Sequence, residues 1–243
     1  MNRNVLITGA SRGLGLALAV RFAGRGDQVF AVSRTERHWK QAWQTLPDSG
    51  LVTWIAADIT NEADVKGILK IIRKETGHLH LVINNAGYGG KLAAIDKIPR
   101  LEWERHLAAN LTAAFLVSKE ALPLVRKSGG GQIFNISSMA GTRAVPRLAA
   151  YSAAKFGLMA LTQALAKENT DFPFKALTIC PGGMNTEMRR VLFGAEDAAK
   201  QQSPDFVADL IIQIIDNKIP VENGAAVVIR NGKITAIQPM PGA

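Results

Sequence analysis

The stretch that decides the fold is NVLITGASRGLG, residues 4–15. Its first five residues form a short apolar run, which is typical of a buried parallel strand. A strand, a glycine-rich turn and a helix in this order place a diphosphate at the N-terminus of the helix. Here Gly9 permits the tight turn, Gly13 lets the backbone approach the ligand, and Gly15 allows close helix–strand packing. The glycine spacing is G-x-x-x-G-x-G and not the G-x-G-x-x-G of the usual dinucleotide fingerprint.

Length and composition are ordinary for a globular enzyme. The chain has 243 residues, of which 47% are hydrophobic and 20% charged, so one domain over residues 1–243 is expected. No apolar run reaches the ~18 residues of a membrane span. The first strand pattern begins at Asn4, which leaves no room for a signal peptide. Cys180 is the single cysteine and lies in an apolar run, so it is expected to be a buried strand residue in a reducing, cytoplasmic protein.

The net charge of +9 raises the question of a nucleic-acid partner. The basic residues are scattered, with neither a block of like charge nor an interleaved aromatic patch. We therefore expect no nucleic-acid or membrane partner, and a polyanionic cofactor accounts for part of the excess. His78 and His80 share a face of one predicted strand, but no third ligand is near in sequence, and no metal site is predicted.

Residues after the second predicted strand favour NADP over NAD. This strand covers residues 28–33 and ends at Ser33, and Arg34 follows it. An acidic residue near this point would bind the ribose of NAD, whereas an arginine accommodates the 2′-phosphate of NADP. The first acidic residue is Glu36, and Arg12 in the glycine loop offers a second cation. Either arginine alone is also compatible with simple solvent exposure.

Polar or small residues follow two further predicted strands, residues 51–57 and 79–84. Asp58 either contacts an adenine or caps a helix over residues 61–74. Asn85, Ala86 and Gly87 either lie against a flat ligand or form an ordinary turn. The remaining elements come from the hydrophobic pattern: helices over residues 101–127, 149–169 and 204–216, and strands over residues 132–137, 174–180, 225–230 and 233–238.

Four details qualify these elements. The helix over residues 101–127 is expected to be interrupted at Pro123. Asn110 in its interior either holds a water at a backbone irregularity or is a satisfied core amide. The helix over residues 149–169 is apolar around much of its circumference, so it packs in the core or on a partner subunit. Asn231-Gly232 predicts a tight hairpin turn.

The stretch SSMAGTRAVPRLAAYSAAK, residues 137–155, carries the chemistry. Tyr151 and Lys155 stand four residues apart on one helical face, and Ser138 ends the preceding strand. A tyrosine has a pKa of about 10, and an ammonium nearby lowers it by roughly two to three units. These residues therefore suit proton transfer to or from a substrate oxygen held by Ser138. A chance Tyr/Lys pair on a helix surface, with Ser138 as a cap, is the alternative.

Six features together resemble the short-chain dehydrogenase/reductase family, in its compact single-domain branch. They are the glycine loop after Thr8, Asn84-Asn85-Ala86-Gly87, Asn110, Ser138, Tyr151-x-x-x-Lys155 and Pro181-Gly182. The resemblance implies an α/β fold: a doubly wound Rossmann-type parallel sheet of about seven strands with helices on both faces. It also implies a homodimer or homotetramer with a small carbonyl or alcohol substrate.

The same resemblance implies the role of each site residue. Tyr151 is the acid/base, Ser138 orients the substrate carbonyl, Lys155 lowers the tyrosine pKa and binds ribose, and Asn110 positions a relay water. Asp58 lies beside adenine and Thr186 contacts the carboxamide. The full set of expected cofactor residues is Gly9, Ser11, Arg12, Gly13, Leu14, Gly15, Ser33, Arg34, Asp58, Ile59, Asn85, Ala86, Gly87, Tyr151, Lys155, Pro181, Gly182, Met184 and Thr186.

Two stretches depart from the family pattern. After Pro181-Gly182 the family usually has a bulky residue and then valine, so Gly183-Met184 predicts a looser nicotinamide pocket. The tail after Ile229 does not resemble the short glycine-ended tail of many relatives. Residues 183–203 are expected to form a mobile flap over the pocket, an ordinary surface helix being the alternative.

The expected activity is NADPH-dependent reduction of a ketone or aldehyde, with NAD as the lesser cofactor. The same residues could oxidise an alcohol, and a sensor protein that keeps the fold without turnover is the rival from another class. A modest, partly apolar substrate is suggested by apolar residues that otherwise serve only packing: Met139, Leu148, Met184, Met188 and Phe193.

Overall fold

Strands and helices alternate from Asn4 onward in the computed structural model, which describes residues 2–35, 39–40 and 50–242. The strands are β1 Asn4–Thr8, β2 Gln28–Ser33, β3 Val52–Ala56, β4 Leu81–Asn84, β5 Gly131–Ile136, β6 Phe174–Pro181, β7 Ala226–Arg230 and β8 Lys233–Gln238. The helices are α1 Gly13–Gly24, α2 Glu62–Glu75, α3 Arg100–Leu107, α4 Ala113–Lys127, α5 Ala149–Glu168, α6 Glu187–Phe193, α7 Ala195–Ala199 and α8 Pro204–Ile215.

These strands form one sheet in the order β3-β2-β1-β4-β5-β6-β7-β8. Every neighbouring pair from β3 to β7 is parallel, and β8 runs antiparallel to β7 at one edge. The prediction of a doubly wound parallel sheet of about seven strands is confirmed, with an eighth, antiparallel strand added. The strand order reverses between β1 and β4, and in such sheets ligands bind in the crevice at that point.

Alternate residues of the strands face opposite sides, so the sheet has two hydrophobic cores. Val5 and Ile7 of β1 join one buried cluster with α1 and α8, whereas Leu6 joins another with α2, α4 and α5. Helices therefore cover both faces, as a parallel sheet requires. No helix among the described residues combines the length and the apolar content needed to cross a bilayer.

Pro123 does not interrupt its helix, contrary to the prediction. Helix α4 continues through it to Lys127. Proline removes one backbone donor and its ring crowds the carbonyl four residues earlier, so it disfavours a helix interior. Leu124 and Val125, which follow it, are buried against the sheet, so tertiary packing holds the last turn in place.

The hairpin after β7 has the predicted turn. Asn231 and Gly232 both adopt left-handed backbone angles, with φ of 51° and 72°. Positive φ at both central positions matches the right-handed twist of the flanking strands.

Candidate active site

The glycine loop is tied to the loop after β4 by a buried threonine. Thr8 is 1% exposed, and its hydroxyl oxygen accepts from the backbone N–H groups of Asn85 (3.0 Å) and Ala86 (3.1 Å). The Asn85 amide in turn donates to the carbonyls of Thr8 (2.9 Å) and Gly9 (3.1 Å). These bonds fix the two loops side by side at the reversal of strand order.

Two glycines are required by this close approach. A Cβ at Gly15 would lie 2.3 Å from the Gly9 carbonyl oxygen and 2.5 Å from the Asn85 amide nitrogen. Gly9 itself has a φ of 66°, and a Cβ there would lie 2.8 Å from the Ala86 Cα. A Cβ at Gly13 would sit 3.4 Å from the Thr186 methyl group, so the glycine loop faces residues 183–203.

Arg12 and Arg34, the two predicted phosphate-binding cations, are both near this end of the sheet. Arg12 immediately precedes α1, and Arg34 follows β2; neither makes an ion pair within the described residues. Ser33 beside Arg34 is buried, and its hydroxyl accepts from the Trp54 indole at 2.9 Å. Glu36, the first acidic residue after β2, lies outside the described residues.

Asp58 is not the cap of the following helix. Asn61 caps α2, because its side-chain oxygen accepts from the N–H groups of Ala63 (2.8 Å) and Asp64 (3.4 Å). The pKa of Asp58 lies below its ordinary value: burial acts to raise it, but hydrogen bonds from Thr60 and the charge of Arg34 outweigh that effect. Asp58 is therefore an ionised acceptor beside one of the predicted phosphate-binding arginines.

The three predicted catalytic side chains come together. Ser138 follows β5 with an extended backbone, its hydroxyl accepts from the Ala140 N–H at 3.1 Å, and it hydrogen-bonds the Tyr151 side chain. The Lys155 ammonium lies 5.6 Å from the Tyr151 ring centroid and donates to the Ile136 carbonyl at 2.9 Å. A strand end and one face of α5 thus aim a hydroxyl, a phenol and an ammonium at a common region.

The Tyr151 pKa shifts in the direction opposite to the prediction. Burial raises it, and the hydrogen bond to Ser138 offsets this only in part. Burial also lowers the pKa of Lys155 to about 8, and its ammonium is directed to the Ile136 carbonyl. The loss of water around the phenol outweighs the effect that a nearby ammonium was expected to have on its pKa.

Asn110 was expected either at a backbone irregularity or as a satisfied core amide, and the structure shows features of both. It lies in a π-helical turn, Ala108–Thr112, between α3 and α4, which is the backbone irregularity. Its amide is also fully used, because it donates to the carbonyls of Tyr88 (2.9 Å) and His106 (3.0 Å) and accepts from the Tyr88 N–H (3.1 Å). The side chain thus fixes the loop after Gly87, where a Cβ would lie 2.9 Å from the Asn110 oxygen.

Beside these residues lies a cluster that the sequence analysis did not find. The Tyr88 hydroxyl donates to the Glu102 carboxylate at 2.8 Å, and the His106 Nε2 lies 3.7 Å from the same oxygen. The rings of His106 and Tyr151 are 6.2 Å apart. Glu102 and His106 are four residues apart on α3, a spacing that could have signalled a shared face; Tyr88 gave no such signal.

Residues 183–203 form two short helices and not a single surface helix. Thr186 caps the first, α6, and a Cβ at Gly89 would lie 2.8 Å from Met188. A Cβ at Gly183 would lie 2.1 Å from the Gln201 side chain, so that side chain takes up the room left by the missing bulky residue. The segment therefore packs against the loop after β4.

The other predicted cofactor residues divide into edge and core positions. Pro181 ends β6 and Gly182 donates to the Ile229 carbonyl at 2.7 Å, while Met184 bridges to Gln202. Leu14 is 4% exposed and Ile59 packs against the second cluster, so their side chains belong to the core. Ser11 is partly buried in the glycine loop.

Cys180 is buried as predicted, and burial raises its pKa to about 12.

Comparison with known proteins identifies relatives across most of the chain. A family model described as short chain dehydrogenase matches residues 3–197. A 3beta-hydroxysteroid dehydrogenase of Mediterraneibacter gnavus is 34% identical over 188 residues, which is 76% of this chain and 67% of that protein.

Two solved structures superpose closely. A Shigella flexneri short chain dehydrogenase complexed with NADP is 27% identical with a TM-score of 0.86, and the match covers 94% of this chain and 97% of that one. A Brucella melitensis 3-ketoacyl-(acyl-carrier-protein) reductase complexed with NADH is 26% identical with a TM-score of 0.85, covering 93% and 96%.

Proposed function

The chain belongs to the short-chain dehydrogenase family, and from that premise we propose that it is an NADPH-dependent reductase of ketones or aldehydes. The observation that carries the proposal is the meeting of Ser138, Tyr151 and Lys155 at the open end of the sheet. The names of its relatives, a hydroxysteroid dehydrogenase and a ketoacyl reductase, concern alcohol and carbonyl groups and are consistent with this chemistry.

The glycine loop supports a dinucleotide cofactor. Gly9 and Gly15 let the loop pack closely against the residues after β4, and the loop leads directly into the N-terminus of α1, where backbone N–H groups can bind a diphosphate. Arg12 and Arg34 would bind the 2′-phosphate, and Asp58 and Thr186 would flank the adenine and nicotinamide ends. When bound, NADPH would supply the hydride. One neighbour binds NADP and another NADH, so the preference rests on these arginines.

The proton chemistry is assigned to this chain's own residues. Ser138 would hold the substrate oxygen by a hydrogen bond, next to the Tyr151 hydroxyl. Tyr151 would donate its hydroxyl proton to that oxygen, and a phenolate would remain on Tyr151. Lys155 would stabilise that phenolate. The Lys155 ammonium and the relay water expected at Asn110 would return a proton to it.

In the free protein Tyr151 is in the protonation state that carbonyl reduction requires. Because burial raises the pKa of Tyr151, the free protein holds it as the protonated phenol at neutral pH. This is the form that can donate a proton to a carbonyl oxygen. Alcohol oxidation would use the same residues in reverse, starting from the phenolate.

Tyr151→Phe tests the role of the phenol. It should lower kcat for carbonyl reduction by about a hundredfold to ten-thousandfold, the usual contribution of a general acid. NADPH affinity and thermal stability should stay close to those of the wild-type protein, because the ring is retained. The readout is loss of reduced-cofactor absorbance against a panel of ketones and aldehydes, with cofactor binding titrated separately.

Two results would contradict the proposal. A Tyr151→Phe protein with normal turnover would remove the phenol from the mechanism. A wild-type protein that binds NADPH tightly but reduces no member of the carbonyl panel would favour a non-catalytic sensor.

A further inference from the structure

A cavity of about 410 Å³ lies beside Tyr151 and away from the other predicted catalytic residues. Tyr151 lines it, whereas Ser138, Lys155 and Asn110 do not. Its walls come from the loop after β4, from α3 and from the start of α5. The volume falls within the range of about 300–1,000 Å³ that is usual for small-molecule sites. The cavity can therefore hold the part of a substrate that extends beyond the reacting carbonyl.

The charges around this cavity are mainly positive. Lys91, Lys97, Arg105 and Arg147 line it, against the single carboxylate of Glu102. Glu102 already accepts from the Tyr88 hydroxyl and lies 3.6 Å from Arg105. Within the part of the chain that the structure describes, no ion pair includes Lys91 or Arg147. These two cations are thus available to an anion.

The N-terminus of α5 opens onto the same cavity. Leu148, Ala149 and Ala150 line it, and α5 has 20 residues. Its first turn contains no acidic residue, and the cap position Leu148 offers no side-chain hydrogen bond. The first backbone N–H groups of a helix lack intrahelical partners and carry partial positive charge. An anion is the ligand that such a terminus prefers.

His106 forms a largely buried part of the cavity wall. It is 3% exposed, and its Nδ1 has no hydrogen-bond partner among the described residues. A buried polar atom without a partner is uncommon in folded proteins. Arg147 is held in place as well: its φ is 66°, and its carbonyl accepts from the Ala93 N–H at 3.0 Å.

We propose that this cavity binds an oxoanion carried by the substrate itself, at the far end of an apolar body from the carbonyl group. Lys91, Arg147 and the N-terminus of α5 bind the anion, and apolar side chains such as Leu92, Ile98 and Leu148 contact the body. The substrate class is accordingly an oxo acid. The proposal rests on the proposed carbonyl reductase activity for the reaction, but the anion site can be measured without turnover.

The kinetic test compares straight-chain oxo acids, from 4-oxopentanoate to 9-oxodecanoate, with their methyl esters. The wild-type enzyme with NADPH should show a kcat/KM at least about tenfold higher for the best acid than for its ester, as expected for a charge-assisted contact. Arg147→Gln and Lys91→Gln should each remove most of this preference, by lowering kcat/KM for the acid far more than for the ester. Arg143→Gln is the matched control, because Arg143 is exposed on the same loop but does not line the cavity.

A binding test separates this inference from the proposed function. Calorimetry with hexanoate, with and without NADP, should detect binding to the wild-type protein and none to the Lys91→Gln/Arg147→Gln double variant. Hexanoate should also inhibit reduction of the oxo acid competitively. If hexanoate binds as described but no carbonyl is reduced, the anion site stands and the reductase proposal fails.

Three outcomes would overturn the inference. The first is equal kcat/KM for acid and ester in the wild-type enzyme. The second is hexanoate binding that is absent, or that the double variant retains. The third is inhibition that does not compete with the oxo acid, which would indicate a separate effector anion.

Discussion

Lys155 holds a positive charge where little water reaches it, being 3% exposed. Burial lowers its pKa from 10.5 to about 8, so the unfolded chain binds more protons than the folded one between these two pH values. Stability therefore rises with pH across this window and is independent of this group below it. At about 1.4 kcal/mol for each pKa unit, the rise is about 3 kcal/mol.

Lys155→Met should reveal this dependence. The free energy of unfolding of the wild-type protein, minus that of the variant, should increase by about 3 kcal/mol between pH 7.5 and 10.5. Denaturant titrations of the cofactor-free proteins measure it. Lys167→Met, which removes an exposed lysine on the same helix, is the matched control. A flat difference for Lys155→Met would mean that the ammonium is not desolvated.

If Arg34 binds the 2′-phosphate, it determines the preference for NADPH over NADH. Arg34→Asp places a carboxylate where that phosphate would lie, so the dissociation constant for NADPH should rise by about tenfold or more. NADH, which lacks the phosphate, should bind nearly as before. Arg73→Asp in the last turn of α2 controls for the change in net charge. Equal losses for both cofactors would place the phosphate elsewhere.

The start of helix α1 can lie against the Gly9 carbonyl and the Asn85 amide only because Gly15 has no side chain. Gly15→Ala should weaken NADPH binding by about tenfold or more and lower the free energy of unfolding by about 1–3 kcal/mol, since overpacked cores cost that much. Gly67→Ala in α2 is the matched control. No atom lies within 4 Å of its added Cβ, and it should stabilise the protein by about 0.5–1 kcal/mol. Fluorescence titration and thermal melting measure both; a neutral Gly15→Ala would refute the packing argument.

Element boundaries were predicted well where the signal was local. The predicted limits of β2 and β8 match the observed ones, and α2 begins after its asparagine cap. The stretch over residues 101–127 was less well predicted. Asn110 signalled an irregularity, but a π turn depends on how the loop after Gly87 docks on it, and Pro123 was overridden by packing.

The edge of the sheet depends on the C-terminal hairpin. Strand β8 is largely exposed, but it covers the hydrogen-bonding groups of β7, and Met240 lies beside Gly224. Deleting residues 231–243 should lower the melting temperature and expose an edge strand that pairs with other chains. Deleting only residues 241–243 is the control. Thermal melting and size-exclusion chromatography over a range of concentrations measure the effect; unchanged elution at high concentration would contradict it.

We also propose that residues 1–243 form one domain. Helices on both faces pack on one sheet, and the pair α1 and α8, from opposite ends of the chain, shares a cluster. Arg21 of α1 supports this contact by pairing with Asp209 and Asp205 of α8. Chain length alone suggested a single domain, and these contacts join distant parts of the chain.

The sequence by itself determined the family, the sheet with its covering helices, and the identity of the residues that meet at its open end. Those features follow from periodicity and from motifs whose interactions span a few residues, and such patterns are legible along a chain. The tertiary structure alone decided the direction of the Tyr151 pKa shift, the two-helix form of residues 183–203 and the cationic cavity. Burial, close packing and the gathering of Lys91 with Arg147 arise from contacts between distant segments, because desolvation and charge density depend on distance in space and not on distance along the chain.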